Sequence, residues 1–242
     1  MASHPLHLLV RKLEGGVQLD AEQRQAIYAL PHMIRATPAG TYLLREGDPP
    51  TICAVLVTGY ALRHKITRHG VRQIVSLQIP GEALDFQHLS LHTADHNIQT
   101  LTQADLALVP MQAVHDLAAR HPAIADAILR HVQIEASIAR EWMVNIGRRT
   151  ARERLAHLLC EFACRLDAQG LVNGEGYELP MTQEQIGDAL GLTSVHVNRS
   201  IRALEEEGLI TRARRVISFP DIQRLRSVAD FNDLYLHLRR QD

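Results

Sequence analysis

No apolar run in the 242 residues reaches the roughly 18–20 that a membrane-spanning helix needs, so no spanning segment is expected. The opening residues, Met-Ala-Ser-His-Pro-Leu-His, lack a basic stretch followed by an apolar core. A secretory leader is therefore not expected, and the cytoplasm is the expected compartment. Cysteine is scarce: Cys53, Cys160 and Cys164 are too few, and odd in number, for a disulfide framework. Cys160 and Cys164 stand one helical turn apart. They read either as two small helix-face hydrophobes or as a redox or metal pair, and the second reading lacks two further ligands nearby. Net charge is nearly absent too. The 26 Lys and Arg against 27 Asp and Glu leave −1, which argues against non-specific coating of nucleic acid but leaves room for a local basic patch. Catalytic signatures are missing: no nucleophile elbow, P-loop or dinucleotide fingerprint occurs. Nor do two histidines stand at i,i+2, as cupin-type β-roll enzymes place them. No enzyme is expected.

What is present is an ordinary globular composition, 46% apolar, long enough for two modest domains. Residues 1–30 have a polar helical texture, and Asp20-Ala-Glu-Gln23 matches a capped helix start. From Met33 to Met111 short apolar runs alternate with Gly, Pro and Asp. Thr41-Tyr-Leu-Leu, Ile52-Cys-Ala-Val-Leu-Val, Arg72-Gln-Ile-Val-Ser-Leu and Thr100 to Pro110 read as strands, which predicts a sandwich or barrel. From Pro122 the period turns helical, with Ile124, Ile128, Val132, Glu135, Ala139, Trp142 and Ile146 on one 3–4 stripe. Leu129, Ile134, Ile138 and Met143 lie off it. A helix apolar on more than one side must bury its second side, either against a copy of itself in a two-fold dimer or within a monomeric core. Gly147 interrupts the pattern, and Thr150-Ala-Arg-Glu153 is a capping box. Asn145 to Arg149 is the expected hinge, and Gly170, Gly174 and Gly176 mark a loop. The expected divisions are 1–121, 122–147 and 148–242.

Thr182-Gln-Glu-Gln185 opens a short helix with a second capping box. Gly191 turns the chain, and Thr193 or Ser194 caps a helix running to about Glu206. This is a helix-turn-helix layout. At 100° per residue Val197, Ile201 and Leu204 face inward, while Ser194, Val195, Asn198, Arg199 and Arg202 share another face. Arg can donate twice to guanine, Asn pairs similarly with adenine, and Val can meet a thymine methyl. Val195, Asn198 and Arg199 are the expected base readers; Thr182, Ser194 and Arg202 are expected on phosphate. Leu209-Ile-Thr and Val216-Ile-Ser-Phe read as two strands of a wing whose Arg212, Arg214 and Arg215 add phosphate contacts. The alternatives are a solvated helix and hairpin, or a ligand-binding β-roll protein whose helix-turn-helix serves protein contacts.

The run Leu179 to Arg199, with Leu204-Glu-Glu-Glu-Gly-Leu-Ile, resembles the Crp/Fnr family of bacterial transcription regulators. Gly40-Thr-Tyr-Leu-Leu-Arg-Glu-Gly-Asp and Val55-Leu-Val-Thr-Gly-Tyr match more weakly. The resemblance implies an α+β chain: an N-terminal β-roll (a cyclic-nucleotide-binding-like jelly roll) as sensor, a long dimerisation helix and a C-terminal winged helix-turn-helix. It also implies double-stranded DNA, a second copy of the chain and RNA polymerase as partners. Cyclic-nucleotide binders of the family carry Gly-Glu and, about ten residues on, Arg-Ser, whose Arg pairs with the cyclic phosphate. Here those positions match Asp85-Phe86 and His96-Asn97. Pro80-Gly81-Glu82 does offer a Gly-Glu pair, but no Arg falls between Arg72 and Arg120. That argues against cyclic AMP, and the lack of N-terminal cysteines argues against an iron–sulfur cluster. Many members carry glutamate where Val195 stands, so a different half-site is expected. Among fourteen histidines, His88, His92 and His96 are spaced by four beside Asp95. On a helix they would share a face able to bind metal or haem; in a loop the spacing means nothing. A chain with no ligand, set by abundance or by cysteine redox state, is the other option.

Overall fold

In the computed structural model the described residues are 4–172 and 176–238. Contacts divide them into two units, one formed by residues up to 65 with 76–136, the other by 66–75 with 137–237. The architecture is the expected α+β order of β-roll, long helix and winged helix-turn-helix.

The first unit opens with α1 (His7–Leu13) and α2 (Ala21–Tyr28). Asp20 caps α2 by accepting from the Gln23 amide at 2.8 Å, and Gln23 accepts from the Asp20 amide at 3.0 Å. Seven strands follow along the chain: β1 (Met33–Thr37), β2 (Tyr42–Leu44), β3 (Ile52–Thr58), β4 (Ala61–Ile66), β5 (Arg72–Gln78), β6 (Asn97–Thr100) and β7 (Ala104–Pro110), with the β4–β5 turn and the start of β5 counted in the second unit. They form one sheet in the order β1-β7-β3 and another in the order β2-β6-β4-β5. Leu56, Leu84, Ile98 and Leu106 fill one core cluster. Helix α3 (Met111–Arg120) lies where no element was expected. It is short and carries His115 and Asp116 among its apolar residues. Burial of Val114 and Leu117 in the core cluster that β3 and β7 share with α1, α2 and the start of α4 holds it.

Helix α4 (Pro122–Arg148) is continuous over 27 residues, about 40 Å. Gly147 does not end it, contrary to the expectation. The break falls at Arg149–Thr150, because Thr150 caps α5 (Ala151–Ala168), accepting from the Glu153 amide at 3.4 Å while Glu153 accepts from its own at 2.8 Å.

In the second unit, α5 packs against α7 (Ser194–Glu206) and α8 (Ile222–Val228). Helix α6 (Gln183–Leu190) precedes α7, and strands β8 (Gly176–Glu178), β10 (Val216–Ser218) and β9 (Thr211–Ala213) form a sheet with β10 central. Two expectations need correction. Gly176 opens a third wing strand rather than closing a loop; Gly174 lies outside the described residues. Leu209 and Ile210 are buried and cap α7, the Leu209 amide donating to Leu204 at 2.9 Å, so the wing strand starts only at Thr211.

Candidate nucleic-acid interface

Thr182 caps α6 through its box with Gln185, at 3.2 and 2.9 Å. Gly191 ends that helix in the left-handed region at φ 64°, where a side chain would be strained. Gly187 has a separate reason. A Cβ there would stand 2.5 Å from the Leu192 carbonyl oxygen, so only glycine lets α6 close on the turn. Thr193, not Ser194, caps α7, accepting from the His196 amide at 3.3 Å. Val197, Ile201 and Leu204 are buried, as their shared face requires.

The opposite face of α7 is open. Val195 is 65% exposed, Ser194, Arg199 and Arg202 are exposed, and Asn198 is half-buried. Together with Gln183 they line one groove. Gln183 lies on α6, so the angular pattern of α7 does not reveal it. Its Oε1 accepts from the Asn198 side-chain Nδ2 at 3.4 Å. His196, also exposed, holds Thr193 Oγ1 at 3.1 Å and had no pattern to flag it. Neither Arg199 nor Arg202 pairs with another described residue, so both guanidinium groups are available to an anion. The wing is less basic than its composition suggested. Arg212 pairs with Glu205 at 3.2 Å and Arg215 lies 3.8 Å from Glu178. Arg214, at the tip with φ 57°, has no partner among the described residues.

The set expected at a dimer seam is divided. Ile124 (0% exposed) and Ile128 (5%) belong to the first unit's own core, and Trp142 (6%) is buried in the second. Glu135 pairs with Arg63 at 2.8 Å. Ala139 is exposed, and Val132 and Ile146 are half-exposed. The spacing of apolar residues finds the faces of α4 but cannot say which face its own chain covers.

In the β-roll, Asp85, Phe86, His96 and Asn97 are all buried. Phe86 is a core residue with its ring edge-on to His131, and Asn97 accepts from the Glu46 amide at 3.2 Å. The residue that sequence reasoning missed is Arg63. Arg63 precedes this segment by more than twenty residues in the chain, but sheet pairing brings β4 alongside β6 and puts Arg63 beside it. Its guanidinium donates to Glu135 (2.8 Å), to the Leu84 carbonyl (2.6 Å) and to Gln87 (3.3 Å). A cyclic phosphate needs a free cation and no opposing acid. Here the buried cation already holds a carboxylate, and Asp85 adds a second acid within its field. The residues present do not fit a cyclic nucleotide.

The histidines do not converge either. The segment around them is a short 3-10 turn (Phe86–Leu89) and a loop, not a helix. The His88 and His96 rings stack 5.9 Å apart, His96 holds Asp95 at 2.6 Å, and His92 is exposed. Among the described residues no cluster suited to a metal occurs. Burial pushes the Cys160 thiol up to about 12 and Cys164 up to about 11, and raises Cys53 further, which disfavours the thiolates that redox chemistry uses.

Burial also pushes the Asp85 carboxyl up to about 6, although Arg63 pulls it back. A raised carboxyl means the folded chain holds the proton that the unfolded chain has released, so Asp85 lowers stability as pH rises from about 4 to 6. The shift from 3.8 to about 6 corresponds to about 3 kcal/mol above pH 6. Asp85→Asn should therefore exceed wild type in urea stability by up to about 3 kcal/mol at pH 7.5, with the gap closing towards pH 4. A gap independent of pH would refute this. The lowered His88, His96 and His131, which burial keeps neutral, act in the opposite sense below pH 6.5, and they cancel in the comparison.

Two capped helices about a glycine turn, an open Arg/Asn face and a three-stranded wing define a winged helix-turn-helix DNA-binding protein joined to a β-roll. Residues 153–228 match the Crp-like helix-turn-helix domain model and residues 34–121 the cyclic nucleotide-binding domain model. The transcriptional activator protein FnrL of Cereibacter sphaeroides is 30% identical over 210 residues, 85% of this chain and 84% of that protein. The transcriptional activator protein anr of Pseudomonas aeruginosa is 24% identical over 205 residues, 85% and 84% of the two chains. The solved structure of FixK2 from Bradyrhizobium japonicum aligns with a TM-score of 0.75 at 26% identity, covering 82% of this chain and 98% of that one. The chain belongs to the Crp/Fnr family of transcription regulators, which are not enzymes. Among the described residues no helix is long and apolar enough to cross a membrane.

Proposed function

We propose that the protein is a cytoplasmic, sequence-specific regulator that binds a two-fold symmetric DNA site as a homodimer and works with RNA polymerase. Its β-roll would sense a signal other than a cyclic nucleotide. Functionally it divides into a sensor (1–121), a dimerisation helix (122–147) and a DNA-reading domain (148–242). The observation that carries the reading is the open face of α7. Val195, Asn198 and Arg199 stand near its N-terminus, where base edges are usually reached, and would read bases. Thr182, Ser194, Arg202 and Arg214 would hold phosphate, with Arg212 and Arg215 released from their acidic partners when DNA binds.

The dimer reading rests on a second face of α4. Leu129, Val132, Ala136, Ala139, Met143 and Ile146 follow alternating steps of three and four, and all are exposed or half-exposed. Leu129 is 55% and Met143 67% exposed. An apolar heptad seam of this length is what two parallel helices bury against each other. Relative to the sequence-based stripe, the seam keeps Val132, Ala139 and Ile146 and replaces the others.

Selection of binding sites from random duplexes should return an inverted repeat. Arg199→Ala should then lose about 1–3 kcal/mol and relax one position of each half-site, as for one bidentate contact. Unchanged specificity would remove Arg199 from the readers. A selection that returns no repeat would end the two-fold reading.

A further inference from the structure

The chain continues past residue 228, where the matched helix-turn-helix model ends. Residues 229–236 fold back on the second unit. Ala229 and Leu236 are buried, and Arg226 anchors the stretch by pairing with Asp233 at 3.0 Å and stacking over Phe231 at 5.1 Å.

Tyr235 reaches a fully buried carboxylate, Glu161 of α5, and donates to its Oε2 at 2.8 Å. Trp142 Nε1 of α4 donates to the same carboxylate at 3.0 and 3.2 Å, and Arg165 donates to Oε1 at 3.3 Å. One buried charge thus ties α4, α5 and the tail. A second tie lies beside it. Arg149, at the joint, pairs with Glu141 of α4 at 2.7 Å and donates to the Asp230 carbonyl at 3.3 Å. His157 of α5 lies 3.2 Å from Glu141 and shares a three-ring cluster with Phe231 and Tyr235, at 5.1 and 5.8 Å.

Only Arg149 and Thr150 join α4 to α5. Two residues contribute four soft dihedrals, so the chain itself does not set the angle between the helices. Directional hydrogen bonds to a buried charge are satisfied in one geometry only, and they cost heavily when misaligned. An apolar contact would tolerate a slip that this network does not.

We propose that the tail segment 229–236 is a strap, and that Tyr235 and Glu161 are positioning residues. Together they hold the α4–α5 corner at the angle that lets two DNA-reading units meet two half-sites at once. The inference rests on the dimeric reading above. Neither residue needs to touch DNA.

The test uses full-length protein and three duplexes built from the selected operator: native spacing, one base pair inserted between the half-sites, and a single half-site. One inserted pair turns a half-site by about 35° and moves it by about 3.4 Å. Wild type should bind the native spacing best. Tyr235→Phe and Glu161→Gln should lose about tenfold on native spacing, as for a lost hydrogen bond to a charged group. They should keep wild-type affinity for the single half-site and tolerate the insertion better. Both changes are near-isosteric; Trp142→Phe, which removes another donor to Glu161, serves if either fails to fold. The same spacing dependence in variants and wild type would overturn the strap. So would an equal loss on the single half-site, which would mean that the network merely supports the reading unit. A wild type indifferent to the second half-site would instead sink the dimeric reading, and the strap with it.

Discussion

Exchanging Leu129 and Met143 together for glutamate is expected to turn a dimer into a monomer. Affinity for a two-half-site duplex should fall on the order of 10²–10⁴-fold, because the second contact loses its effective concentration. The physical reason is specific to this helix. Both side chains are more than half exposed on the chain itself, so glutamate there costs the monomer fold little. In a helix pair they would lie at the seam, where four buried carboxylates would repel without partners. Sedimentation equilibrium reports the dimer, and titration against single and double half-sites reports the coupling. Single half-site binding should survive. A double variant that remains dimeric would place the interface elsewhere.

The second large effect lies in the β-roll. Glu135→Leu leaves Arg63 buried without its hydrogen-bonded carboxylate, with only the more weakly coupled Asp85 as an opposite charge, and should cost about 3–5 kcal/mol in urea unfolding. Arg63→Met with Glu135→Leu should recover most of that loss, since an apolar pair of similar volume is often as stable as a buried ion pair. Arg63 also donates to the Leu84 carbonyl and to Gln87, so the double variant leaves those acceptors short and should stop just below wild type. Simple addition of the two single costs would show that the residues act independently, and that the ion pair does not organise the site.

The DNA-reading half was legible in the sequence almost residue by residue. Capping boxes at Thr150 and Thr182, the glycine turn at Gly191 and the inward set Val197, Ile201 and Leu204 are all local. Such signals depend on residues three or four apart, which a helix brings together wherever it lies. The sensing half was legible only as texture. Strands at roughly ten-residue spacing were visible, but the partner of each strand was not. Arg63 entered the site through the pairing of β4 with β6, a contact across more than thirty residues that no periodicity reveals. The same holds for Gln183 beside Asn198 and for Tyr235 beside Glu161.

Helix α4 divides the two kinds of knowledge most clearly. The sequence by itself determined that it is a long helix with more apolar surface than one side can use. It also determined the helix-turn-helix, its outward Arg/Asn face and the run of short strands before it, because helix and strand periods are properties of near neighbours; the β-roll itself came only from the family resemblance. Only the tertiary structure decided which apolar face is free, by burying Ile124, Ile128 and Trp142 and leaving Leu129 and Met143 in solvent. It alone paired Arg63 with Glu135 and closed the strap on Glu161. Those are encounters between residues far apart in the chain, and their energies depend on burial, which exists only once the chain has folded.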